Sequence, residues 1–178
     1  KLMRRADLAM YQAKKEGRNR FCWFDLSMEA EARIRREMET AIRAGLERGE
    51  FTPHYEQQID LETGQLVGFE MLARWHSAEL GEVSPDIFIP IAENCGLIGP
   101  LSEMLIRRAL IDAQSWSPSL TLSINISPVQ LRDPWLPQKL LKLLLGSDFP
   151  THRLDVEISE ACLQENLGAV QTMIVSLK

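Results

Sequence analysis

Between Thr63 and Trp75 the chain reads Thr-Gly-Gln-Leu-Val-Gly-Phe-Glu-Met-Leu-Ala-Arg-Trp. Strand alternation sets Leu66, Gly68, Glu70, Leu72 and Arg74 on one face and Val67, Phe69, Met71, Ala73 and Trp75 on the other. Both faces carry enough apolar residues to be expected buried, as on the inner wall of an α/β protein. A carboxylate and a guanidinium on such a strand need a reason, because an unpaired buried charge is costly. Two readings stand at this point: Glu70 and Arg74 neutralise each other along the strand, or they serve a catalytic or metal site.

The same reading carried along the chain predicts helices and strands in alternation. Residues 1 to about 16 are rich in helix formers with Gly17 as the stop, and Arg20–Phe24 reads as a short strand. From Ser27 to Arg48, Ile34, Met38, Ala41, Ile42, Gly45 and Leu46 recur at helical spacing with Glu/Arg pairs opposite, which predicts a connector helix packed on the α/β body C-terminal to it. Phe51 to Asp60 pairs with the Glu70 strand through the turn Leu61-Glu62-Thr63-Gly64, where Gly64 is free to take positive φ. A polar loop comes after Trp75. Ser84-Pro85 opens a short helix to Glu93, since Pro at the first helical position costs no hydrogen bond. A longer helix over about 98–116 sets Leu101, Met104, Leu105 and Ala109 at core spacing. Leu120–Ile126 alternates Leu122, Ile124 and Ile126 against Thr121, Ser123 and Asn125. A Leu/Lys-rich helix runs from Pro134 to Gly146 as its stop. Arg153–Ile158 sets Leu154, Val156 and Ile158 against Asp155 and Glu157, and a last helix starts near Gln164. A hairpin succeeded by helix–strand alternation is the pattern of an α/β fold with a parallel sheet.

Composition narrows the function classes. With 45% hydrophobic residues in 178, the chain can bury a sizeable core. The net charge is −5, yet the first 25 residues hold seven Lys/Arg against three Asp/Glu, so the remainder carries −9. An acidic body argues against a nucleic-acid polymer as partner and permits a divalent-cation site. Cys22, Cys95 and Cys162 are widely spaced, form no metal or redox pattern, and read as core thiols of a reduced cytoplasmic compartment. No apolar run approaches the ~20 residues of a membrane span, and the basic start lacks a signal peptide's apolar stretch. His54, His76 and His152 are unclustered, and Trp23, Trp75, Trp116 and Trp135 read as core or edge packing.

Three strands thus carry a hard oxygen ligand opposite their aliphatic residues: Glu70, Asn125 and Glu157. In α/β barrels the C-terminal strand ends converge on one mouth where sites are built. Carboxylate and amide oxygens suit Mg²⁺, Mn²⁺ and Ca²⁺. On pattern alone a metal site and a buried salt-bridge network are equally good accounts.

Two family resemblances bear on that choice. Ala6-Asp7-Leu8-Ala9-Met10-Tyr11-Gln12-Ala13-Lys14-Lys15-Glu16-Gly17-Arg18-Asn19-Arg20 resembles the closing helix and strand of a GGDEF (diguanylate cyclase) domain, without the nucleotide-binding loop on which cyclase activity depends. Residues from about 50 to 178 resemble the first half of an EAL domain, the bacterial cyclic di-GMP phosphodiesterase family. Four blocks carry this in order: Gly68-Phe69-Glu70-Met71-Leu72-Ala73-Arg74-Trp75, residues 87–98, Ser123-Ile124-Asn125-Ile126-Ser127-Pro128-Val129-Gln130-Leu131, and Asp155-Val156-Glu157-Ile158-Ser159-Glu160. The implied division is a GGDEF remnant over 1–26, a linker helix over 27–49 and EAL sequence over 50–178. The implied fold is a modified TIM barrel whose first strand runs antiparallel.

The resemblance implies hydrolysis of cyclic di-GMP to linear pGpG with Mg²⁺ or Mn²⁺. Glu70 and Glu157 are then catalytic, Glu70, Asn125 and Glu157 ligate the cation, Arg74 contacts a substrate phosphate, and Glu160 steadies an active-site loop. It also implies a homodimer through the EAL domain and a cytoplasmic location, with or without a sensory or membrane domain upstream. The alternative is an EAL domain without turnover that acts as a cyclic di-GMP receptor; an interaction-only domain is a third. Three departures stand out. Met71 replaces the family's Ala, on the face away from Glu70. Glu56-Gln57 stands where the family has Gln-Pro, so a substrate-contacting amide becomes the carboxylate of Glu56. The family's paired Asp, Lys, and later Glu and Gln would all fall after Lys178. The expectation is therefore that these 178 residues alone lack phosphodiesterase activity and either associate through an open edge at Arg153–Ile158 or fold poorly.

Overall fold

The predicted hairpin forms as β1 (Phe51–Ile59) and β2 (Leu66–Ser77) in a computed structural model that describes residues 2–15, 17, 19–160 and 167–177. The two strands pair antiparallel, with Phe51 opposite Trp75 and Glu56 opposite Glu70. Their turn is held by Asp60, whose carboxylate accepts from the backbone N–H of Glu62 and Thr63 and from the Thr63 hydroxyl; Gly64 supplies the φ of +68° that closes it. A three-residue β3 (Gly81–Val83) pairs antiparallel with the end of β2. Beyond it, β2 pairs parallel with β4 (Thr121–Ile126), and β4 pairs parallel with β5 (Leu154–Ile158). The sheet order is β1-β2-β4-β5 with β3 on β2.

The α-helical spans among the described residues are α1 (Leu2–Lys15), α2 (Leu26–Arg48), α3 (Pro85–Asn94), α4 (Ile98–Asp112), α5 (Leu136–Ser147) and α6 (Leu167–Leu177). The core lies where α3, α4 and α5 meet one face of the sheet: Met71 and Trp75 of β2 and Leu122, Ile124 and Ile126 of β4 are buried with Phe88, Leu101, Leu105, Ala109 and Leu140. Trp75 is fully buried, stacked on Phe51 at 4.9 Å and edge-on to Phe88 at 5.7 Å. The connector helix α2 packs there as expected. A Cβ on Gly45 would sit 3.0 Å from Glu50 Oε2, Phe51 Cε2 and Trp75 Nε1, so glycine lets the helix approach this closely. At the far side Tyr55 donates to Asp112 Oδ2 at 2.7 Å beneath Trp116; burial and that bond hold its phenol well above the usual tyrosine range.

Several expectations are corrected. Arg20–Phe24 is not a strand, because no strand among the described residues pairs with it, and Phe21 and Trp23 are left 80% and 83% exposed. The supposed polar loop after Trp75 is the end of β2 plus β3, too short a strand for periodicity to reveal. Helix α5 does not stop at Gly146 but at Ser147, with Asp148 taking the left-handed position at φ +52°. Asp does this at low cost because its short polar side chain tolerates that region. Arg153 precedes β5 in a 3₁₀ turn and is 6% exposed, its guanidinium donating to the carbonyls of Leu120 and Ala113. Trp75 and Trp116 pack as expected, whereas Trp135, like Trp23, is exposed. Cys22 and Cys95 are half-buried; Cys162 and the start of the last helix at Gln164 lie outside the described residues.

Candidate functional site

The two faces of β2 differ, contrary to the reading that both are buried. The helices cover the Met71 and Trp75 side; on the other, Glu70, Leu72 and Arg74 are half-buried and lie outside the core cluster. Register places the polar residues of four strands on this second face. Glu56 on β1 is directly opposite Glu70 on β2, Glu70 is beside Ser123 on β4, and Asn125 on β4 is beside Glu157 on β5.

The side chains then meet in two groups. Asn125 Nδ2 donates to Glu70 Oε1 at 2.6 Å. Gln58 Nε2 donates to Glu157 Oε1 at 3.0 Å, and the Ser123 hydroxyl donates to Gln58 Oε1 at 3.1 Å. Arg74 does not pair with Glu70 among the described residues; its Nη1 donates to the carbonyl of Ala73 at 2.9 Å. The first of the two readings of the strand, mutual neutralisation of Glu70 and Arg74, is therefore not the one adopted. Glu56 is exposed, and Glu160 is exposed two residues past β5. His54, His76 and His152 are exposed and form no cluster with the acids among the described residues.

The donors are right in kind for a hard divalent cation: two carboxylates and an amide oxygen on neighbouring strands of one face. Among the described residues no three His, Cys, Asp or Glu side chains come close enough to hold a metal by themselves. What is present fits a partial ligand set, in which a cation such as Mg²⁺ keeps several waters.

Gln58 and Ser123 are the residues that sequence reasoning passed over as site components. Gln58 alternates with His54 and Glu56 and stands opposite Gly68 in the hairpin. That pairing was a usable signal, since a glycine opposite a long amide opens a path across the sheet.

Known proteins resemble this chain over most of its length. The sequence profile of the EAL domain matches residues 39–178. The chain is 35% identical over 168 residues to the cyclic di-GMP phosphodiesterase PdeR of Escherichia coli, covering 93% of this chain and 25% of PdeR. It is 29% identical over 180 residues to the bifunctional diguanylate cyclase/cyclic di-GMP phosphodiesterase MucR of Pseudomonas aeruginosa, covering 99% of this chain and 26% of MucR. The chain thus spans about a quarter of the length of these relatives. The EAL enzyme Bd1971, solved with cAMP and cyclic di-GMP bound, superposes with a TM-score of 0.76 at 24% identity, over 98% of this chain and 47% of that one.

Proposed function

The chain belongs to the EAL domain family, and from that premise we propose that its EAL domain hydrolyses cyclic di-GMP to the linear dinucleotide pGpG with a divalent cation. The observation that carries this reading is the meeting of Glu70 with Asn125 on a face shared with Glu157. Relatives named as cyclic di-GMP phosphodiesterases support the substrate.

Glu70, Asn125 and Glu157 would hold the Mg²⁺ or Mn²⁺, and the bound cation would supply an activated water and charge stabilisation at the phosphoryl oxygens. Arg74 shares the face with Glu70 and spends one donor on Ala73; its fork suits a phosphate oxygen pair. Glu56, opposite Glu70, would accept from N–H or O–H groups of the nucleotide. Glu160 would steady a loop beside the strand ends. The same reading divides the chain into a GGDEF remnant over 1–26, a linker over 27–49 and EAL sequence over 50–178, and it includes a homodimer through the EAL domain. Among the described residues no helix is long and apolar enough to cross a membrane.

The test is Glu70→Gln in the intact protein. Formation of pGpG, monitored by chromatography, should fall at least a hundredfold and Mn²⁺ affinity should drop, with the melting temperature within a few degrees of wild type. Met71→Ala, whose side chain is buried on the other face, should do the reverse and cost about 2–4 kcal/mol of stability while the folded enzyme keeps its turnover. Undiminished hydrolysis by Glu70→Gln removes Glu70 from the site. Tight cyclic di-GMP binding with no turnover in wild type favours the receptor alternative.

A further inference from the structure

Gln58 begins on β1, yet its amide reaches Ser123 on β4 and Glu157 on β5, crossing the whole width of β2. The crossing depends on Gly68, its register partner. A Cβ on Gly68 would stand 3.3 Å from Gln58 Oε1 and press closer still on Thr121, so a side chain there would contest the space the amide occupies. The orientation of the amide is set by its partners. A carboxylate only accepts, so Nε2 must face Glu157, and Oε1 is left to accept from the Ser123 hydroxyl. Ser123 is itself 2% exposed and fixed in the sheet between Glu70 and Asp155 by register. One end of Gln58 is therefore anchored in the core and the other holds Oε1 of Glu157.

We propose that Gln58, locked by Ser123 and admitted by Gly68, is the positioning residue that aims the Glu157 carboxylate for cation binding. The inference rests on the reading of Glu157 as a ligand. A hydrogen bond to one carboxylate oxygen restricts the side chain's rotation and leaves the other oxygen to face the ion; outer-shell partners of this kind typically contribute about ten- to a hundredfold in metal affinity. Neither Gln58 nor Ser123 touches the reacting atoms in this scheme.

The test measures Mn²⁺ binding to the intact protein by electron paramagnetic resonance, independently of turnover, for wild type, Gln58→Met, Ser123→Ala and the double variant. Gln58→Met keeps length and volume and removes both bonds. It should weaken Mn²⁺ about tenfold and lower kcat, with KM for cyclic di-GMP and the melting temperature nearly unchanged. Ser123→Ala should weaken Mn²⁺ by a smaller factor and add nothing in the Gln58→Met background, because its effect passes through the amide. Affinity within twofold of wild type in Gln58→Met, or additive losses in the double variant, overturns the proposal. A wild type that binds no Mn²⁺ overturns it too, and with it the assignment of the cation site itself, whereas normal binding in both wild type and Gln58→Met leaves that assignment standing.

Discussion

Gly68→Ala tests whether β2 and β4 are as close as the fold requires. The backbone of Gly68 is not in the positive-φ region, so alanine is conformationally allowed and, by restricting the unfolded chain, would alone stabilise by about 0.4–1 kcal/mol. Against this, the new methyl would stand 2.8 Å from the carbonyl oxygen of Thr121 and nearer still to its hydroxyl. A hydroxyl can rotate away, but a carbonyl in a parallel strand pair moves only with the strand. Overpacking of this kind costs about 1–3 kcal/mol, and around the middle of that range, subtracting the entropic gain leaves a net loss of about 1–2 kcal/mol. For a chain of this size that lowers the melting temperature by roughly 2–8 °C. Urea unfolding should show a lower midpoint with an unchanged slope. Gly99, in the first turn of α4 with nothing within 4 Å of a built Cβ, serves as control: Gly99→Ala should be neutral or stabilising by up to ~1 kcal/mol. If Gly68→Ala is as stable as Gly99→Ala, the β2–β4 approach and the path of Gln58 over it are both wrong.

The remaining predictions concern the frame around the site. Arg153→Met should destabilise by about 1–3 kcal/mol, because it strands the half-buried Leu120 carbonyl now bonded at 2.8 Å. Arg153→Lys should recover little, since a single ammonium cannot span Leu120 and Ala113 from one fixed plane; denaturant midpoints decide it. Glu50 is held below the ordinary carboxylate value chiefly by the Trp75 indole N–H at 3.0 Å. A depressed folded-state value means its contribution is present above the ordinary carboxylate value of 4.5 and lost as pH falls through the lowered one. Melting curves for Glu50→Gln should therefore converge on wild type in acid and lie below it near neutrality; parallel curves at all pH values would refute the linkage.

The alternation of Leu66 to Trp75, the Asp60–Gly64 turn signals, and the strand patterns at Thr121–Ile126 and Leu154–Ile158 were sufficient by themselves to define the hairpin, the parallel strands and the face that carries Glu70, Asn125 and Glu157. This works because side-chain period and turn chemistry are local properties of a chain. Local properties do not say which neighbour a strand finds. Arg20–Phe24 has strand composition but remains irregular, and Gly81–Val83 has almost no pattern yet pairs with β2. In the same way, Glu70 and Arg74 look like partners along one strand, but the fold gives Glu70 the amide of Asn125 and turns Arg74 to a backbone carbonyl. Gln58 is the sharpest case: β2 and β4 both lie between its strand and that of Glu157 in the sheet order, yet with no Cβ at Gly68 in the way its amide meets that carboxylate at 3.0 Å. Which polar groups belong to one face is written in the period of the strands, whereas which of them touch depends on register across strands, set by the packing of the opposite face on its helices.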